Sequence, residues 1–288
     1  MARRTLVWHI GPDDPGTAFL AEALHARSDE LAALDIATPQ GRWHEIEDQV
    51  WRHKGLSLLS TPDVARANDD RIGLRLSGLR DVEVHLVLLV RDLPSQVHAG
   101  WQAAVRRGST TALPRYAARV LDPERSHWQA EEFWAGRELA DFLPRWTRAI
   151  HADRVHVVAT GPGPDQVWRD FLQQAAVGGL ERPDVFVPPT LAAALDTARV
   201  LDVTTRWAKL VAERGFDQHG SLISASLAAA PADEQRQLEA LADLLTASAA
   251  ELDRLTAEVG ALRVRNARLD RKRRKHKRRL AELLAGSG

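Results

Sequence analysis

Apolar residues cluster along this chain in short runs that alternate with longer stretches of helical period. Thr5 to Ile10 (TLVWHI) is a β-rich run stopped by Gly11-Pro12, and an alanine- and leucine-rich helical pattern follows from Thr17 to about Leu34. Leu56 to Leu59 reads as a second strand, with Thr61-Pro62-Asp63 as a helix start because proline suits the first helical turn. The clearest strand is Val82 to Val90 (VEVHLVLLV), whose nearly unbroken apolar character suits a central parallel strand covered on both faces. A helix to about Arg107 follows Arg91-Asp92-Leu93-Pro94. Next come Pro114 to Leu121, a tryptophan-rich stretch from Trp128 to Ile150, a strand at Arg154 to Ala159 and a helix at Asp165 to Val177. Strands alternating with helices predict a three-layer α/β domain around a parallel sheet.

The proline-rich segment Pro183 to Pro189 is expected to close this domain near residue 190. From Leu191 the pattern turns helical and no further strand is expected, which divides the chain into residues 1–190, a helical segment 191–235 and a coiled-coil extension 236–288. In the last part Leu238, Leu245, Leu252, Val259 and Asn266 occupy one heptad position, and Leu241, Ser248, Leu255, Leu262 and Leu269 the other. That repeat predicts a coiled coil and, through residues 238–269, a homodimer whose register Asn266 would fix. A long helix folded back on its own domain is the alternative.

Charge changes the picture at the C-terminal end. The chain has 39 basic and 39 acidic residues, but Arg271 to Arg279 (RKRRKHKRR) holds eight of the basic ones. The body is therefore mildly acidic and the tail suited to a polyanion or an acidic partner. Cysteine is absent, which excludes disulfides, thiolate metal sites and a cysteine nucleophile. The apolar stretch Leu6 to Ile10 is shorter than a signal peptide's, and no window approaches a membrane span, so a soluble, cytoplasmic protein is expected.

The candidate chemistry lies in the loop after the first strand, Gly11-Pro12-Asp13-Asp14-Pro15-Gly16-Thr17, where backbone N–H groups at a helix start can cradle an anion. A phosphate loop of this kind normally adds a lysine and a hydroxyl residue. Here Asp13 and Asp14 bring negative charge instead. The run HIGPDDPGTAFLAEAL resembles the opening of bacterial sulfotransferase-family proteins, H-x-G-x-x-K-[ST]-G-[TS]-[TS]-x-L-Q. It keeps Gly11, Gly16, Thr17 and Leu20, while Asp14 replaces the lysine and Ala18 the second hydroxyl residue. The strand ending in Arg91-Asp92-Leu93, with Val105 to Thr111 (VRRGSTT) after the next helix, is similar to the family's 3′-phosphate-binding block.

The resemblance implies a P-loop NTPase-like three-layer α/β fold and 3′-phosphoadenosine 5′-phosphosulfate (PAPS) as co-substrate. It implies Gly11, Pro12, Gly16 and Thr17 around the 5′-phosphosulfate and Arg91 on the 3′-phosphate. Ser95 would take the place of a serine where this chain has Ala99. Where relatives carry an acid/base group after the second strand, this chain reads Ser60-Thr61-Pro62. His44, His53 and His98 are the stand-ins for a base, His44 being the catalytic candidate. No histidine pair has metal spacing, His9, His85 and His156 read as strand residues, and no metal is expected. Trp128, Trp134 and Trp146 are assigned either to an acceptor cleft or to the core.

Three readings stay open. The first is a sulfotransferase-like protein with weakened or lost sulfuryl transfer and a binding or scaffold role. The second is an active sulfotransferase on a hydroxyl or amine acceptor, and the third a partner-binding protein working through its basic tail.

Overall fold

The computed structural model describes residues 4–161, 163–187 and 195–223, together with Val259, Leu262, Arg265 and Leu269. Strands β1 (Thr5–Gly11), β2 (Ile36–Ala37), β3 (Leu56–Ser60), β4 (Glu83–Arg91), β5 (Val155–Thr160) and β6 (Asp217–His219) form one sheet in the order β2-β3-β1-β4-β5-β6. Every neighbouring pair is parallel. Helices flank it in three layers: α1 (Leu20–Ala26), α2 (Ser28–Ala33), α3 (Trp43–Arg52), α4 (Asp69–Gly78), α5 (Leu93–Arg106), α6 (Leu113–Val120), α7 (Trp128–Trp134), α8 (Leu139–Trp146), α9 (Pro164–Gln174) and α10 (Thr197–Arg214). Two short 3₁₀ turns, Pro62–Arg66 and Ala152–Arg154, lead into α4 and β5. The expected α/β architecture is present, and four of its strands lie where the apolar runs place them.

Both sheet faces are dry because alternate residues of the central strands are apolar on each side. One face carries Val7, Leu58, Val87, Leu89 and Val158 against Leu20 and Leu24 of α1 and Val167, Trp168 and Phe171 of α9. On the other, Trp8 stacks on Trp43 with centroids 5.1 Å apart and meets Trp146 edge-on at 5.2 Å. Trp8 also donates its indole N–H to Thr61 Oγ1 at 2.7 Å, so the ring's polar edge is satisfied inside the core.

Three details depart from the sequence pattern. The helix expected over Thr17 to Leu34 begins at Leu20 and breaks at Arg27 (φ −104°, ψ 13°), although its apolar spacing runs on without interruption. The tryptophan-rich stretch is two helices, α7 and α8, separated at Gly136, whose φ of +79° is left-handed. A strand does occur after residue 191: β6 pairs with β5, His156 opposite Asp217 and Val158 opposite His219. Its three residues, Asp-Gln-His, have no apolar alternation, so only the open edge of β5 makes them a strand.

The expected boundary near residue 190 falls inside a compact unit that runs from Met1 to Ala240, with Leu241–Gly288 forming a second. Trp207 of α10 is buried and donates to Glu138 Oε1 at 2.7 Å, and the same carboxylate takes an ion pair from Arg125. This helix therefore supplies core to the α/β body. Most of the heptad segment and all of Arg271 to Arg279 lie outside the described residues. Among those described there, Val259, Leu262 and Leu269 are helical and exposed. No helix among the described residues is long and apolar enough to cross a membrane.

Candidate functional site

From β1 the chain passes to β2 and β3 on one side and then crosses to β4 on the other. The carboxyl ends of β1 and β4 thus frame the crevice where open α/β sheets bind ligands. Gly11 closes β1 and Arg91 closes β4, so the candidate anion loop and the candidate phosphate arginine meet at this point. Gly11 has a φ of +142° and is joined to Pro12 by a cis peptide; a Cβ there would lie 3.0 Å from Ala65 Cβ. The turn needs glycine on both counts.

The interior of the loop is filled by its own side chain. Asp14 is 1% exposed and points inward, where its Oδ1 accepts the Gly16 N–H at 3.1 Å. Its carboxylate is held bidentately by Arg91, Nε to Oδ2 at 2.5 Å and Nη2 to Oδ1 at 3.1 Å. The Asp14 carbonyl accepts both the N–H of Thr17 at 2.9 Å and its hydroxyl at 3.0 Å. Gly16 lies directly over the guanidinium: a Cβ on it would sit 2.0 Å from Arg91 Cζ. Gly16, Thr17 and Arg91 are therefore brought together as the sequence suggests, but around a carboxylate that the chain itself provides.

Further charge surrounds this pair. Asp13 is ion-paired with Arg66, and its N–H donates to Gly136 O at 2.9 Å, which binds the α7–α8 turn over the loop. The buried Arg137 follows that turn. Its guanidinium donates to Phe133 O at 2.5 Å and lies over the Phe133 ring, 4.6 Å from the centroid, while its Nε has no partner among the described residues. Burial pushes the Asp14 carboxyl upward, but the Arg91 guanidinium, with help from Arg137, outweighs it and holds the group below the usual carboxylate range. Burial lowers the Arg137 guanidinium, and Asp14 opposes that effect. Arg137 was not legible as a site residue, because its proximity comes from a turn that crosses over from another part of the chain.

The remaining candidates are distributed differently. Ser95 is fully buried in the first turn of α5, where Asp92 Oδ1 accepts its N–H at 2.7 Å as an N-cap. Its carbonyl faces Arg91 Nη2 at 3.5 Å. His44 is exposed in the first turn of α3, and His53 ends that helix with Nε2 3.1 Å from Asp35 O. His98 is buried in α5, and desolvation followed by the charge of Arg91 lowers its pKa to about 4. His9, in β1, faces Ser60 Oγ at 2.9 Å through Nδ1, and burial lowers it to about 3 despite the charge of Asp14.

In the basic turn Arg107 is exposed and paired with Glu132 at 2.6 Å. Trp134 and Trp146 are core residues, at 4% and 0% exposure, whereas Trp128 is 59% exposed. Beside the carboxyl end of β3 is a cleft of about 260 Å³ lined by Leu24, Thr38, Gln40, Leu58, Ser60 and Thr61, among others.

No protein-family model matches the chain, and no curated protein matches it in sequence. Among solved structures it is similar to a sulfotransferase from Alicyclobacillus acidocaldarius, with a TM-score of 0.44 and 14% identity, over 73% of this chain and 96% of that one.

Proposed function

We propose that this is a sulfotransferase-like α/β protein whose co-substrate pocket is closed by its own Asp14, leaving PAPS-dependent sulfuryl transfer weakened or lost and a binding or scaffold role in its place. The Asp14–Arg91 pair carries this reading. PAPS would need the loop N–H groups for its phosphosulfate and Arg91 for its 3′-phosphate, yet Gly16 N–H and Arg91 Nε and Nη2 already serve a carboxylate. An incoming anion would have to displace that carboxylate and then share a low-dielectric pocket with it, a like-charge contact that costs more than it would in water. Each missing transition-state donor typically costs about 100- to 1000-fold in rate, and the loop lysine is absent as well.

The test is calorimetric titration with 3′-phosphoadenosine 5′-phosphate. The expected result is no micromolar binding by the wild-type protein and measurable binding once Asp14→Ala removes the carboxylate. Micromolar binding by the wild type would return the chain to the active sulfotransferases with a hydroxyl or amine acceptor.

The partner side of this proposal rests on residues 238–279. The exposed, helical Val259, Leu262 and Leu269 support a homodimer through the heptad segment, and the basic run supports a polyanionic partner. Light scattering should give twice the chain mass, and deleting residues 271–279 should abolish retention on heparin without changing that mass. A monomer at micromolar concentration would rule out the dimer.

A further inference from the structure

At the opposite end of the sheet, the amino ends of β4, β5 and β6 bring together a group of side chains that the anion site does not use. Strand register places His156 beside Asp217, and His219 shares a face with Asp217 because the two lie two residues apart on β6. Both imidazoles converge on the same carboxylate oxygen: His156 Nδ1 and His219 Nε2 each lie 2.8 Å from Asp217 Oδ2. The three donor atoms lie within 4.8 Å of one another. Behind them His85 stacks on His156 at 5.3 Å with the rings 9° apart, and its Nδ1 is 3.0 Å from His156 Nε2. His85 Nε2 in turn faces Glu83 Oε1 at 3.6 Å.

We propose that His156, Asp217 and His219 bind one divalent transition-metal ion of the zinc class. The donor set is two imidazoles and a carboxylate, which suits such an ion and not a hard cation that prefers oxygen alone. Donors bound to a tetrahedral ion at about 2.0–2.1 Å are roughly 3.3 Å apart, so the two nitrogen–oxygen contacts need only a small widening. The outer residues fit the same purpose. With His156 Nδ1 on the metal, its Nε2–H donates to His85 Nδ1, and the His85 Nε2–H is then directed at Glu83. This is a chain of the kind that fixes the tautomer and ring orientation of a ligating histidine.

Asp217 and His219 have side chains 45% and 41% exposed, so an ion can enter from solvent and keep a coordination position open. Spacing along the chain conceals the set, since His156 and Asp217 are 61 residues apart. That explains why no metal motif appears in the sequence. Bound there, the ion would clip the three-residue edge strand β6 to the sheet.

The experiment is titration of the full-length protein with Zn²⁺, and in parallel with Co²⁺ followed by visible absorption. One ion per chain should bind with micromolar or tighter affinity, and Co²⁺ should give the intense bands of a four- or five-coordinate site. His219→Ala and Asp217→Ala, both on the exposed edge strand, should each weaken Zn²⁺ binding about 100-fold. His85→Gln should weaken it about 10-fold through loss of the outer hydrogen bond. Zn²⁺ at 100 times its Kd should also raise Tm by about 5 °C in the wild type and not in His219→Ala. Equal affinity in the wild type and a His219→Ala/Asp217→Ala double variant would overturn the proposal. So would no binding, or a six-coordinate Co²⁺ spectrum in the wild type, a result that does not depend on any variant folding.

Discussion

Replacing Arg91 with alanine lowers the free energy of unfolding by about 3–5 kcal/mol, the usual cost of leaving one partner of a buried ion pair without the other. The remaining Asp14 carboxylate would be almost fully enclosed, with only the Gly16 N–H and the more distant charge of Arg137 to compensate it. Asp14→Ala should be costly for the converse reason, since it leaves Arg91 and Arg137 buried in the same pocket. The double change, Asp14→Ala with Arg91→Ala, should cost at least about 2 kcal/mol less than the two single changes together, because neighbours in one ionic network are strongly non-additive. Urea denaturation of the four proteins measures this directly, and additive losses would mean that the pair is not coupled. Sulfate provides a second readout. A pocket that lacks its own anion should take one from solution, so sulfate should raise the Tm of Asp14→Ala by more than the general salting-out effect it has on the wild type.

Acidification from pH 7.5 to pH 5 should remove about 4 kcal/mol of stability, about half of it through His9. His9 is depressed by burial to about 3, and His98 by burial and Arg91 to about 4, against an ordinary value of 6.5. In both cases the unfolded chain binds a proton near pH 6.5 and the folded chain does not. Stability is therefore fully present above pH 6.5 and falls as the pH drops toward the folded-state values, by about 1.4 kcal/mol per unit for each histidine. His9→Asn should reduce the slope between pH 6.5 and pH 5 to about half, as read from urea midpoints across that range. A slope unchanged by the substitution would mean that His9 is not held neutral. The same property argues against His98 as a general base on an acceptor at neutral pH, because a base with a pKa of about 4 has little affinity for the proton it must take.

Strand positions were readable because a central parallel strand must be apolar on both faces. Val82 to Val90 announces β4 without any knowledge of its neighbours, and Gly11 announces the turn that ends β1. The break at Arg27 and the edge strand β6 were not readable, since each depends on what surrounds it. Asp217, Gln218 and His219 become a strand only because β5 offers unpaired backbone groups.

The loop composition likewise signalled that an ordinary phosphate site was compromised, with Asp14 where a lysine is expected. It could not distinguish repulsion from occupation. That difference rests on Arg91, 77 residues away, turning its guanidinium onto the Asp14 carboxylate.

The sequence by itself determined the α/β class, the order of the central strands along the chain and the glycine turn that ends β1. Each of these follows from local periodicity or turn chemistry. Only the tertiary structure decided that the loop is filled by its own carboxylate, that α10 and β6 belong to the α/β body, and that two histidines and an aspartate meet at the sheet edge. Those outcomes depend on side chains distant in sequence sharing a small buried or half-buried volume, and no local pattern records which of them will meet.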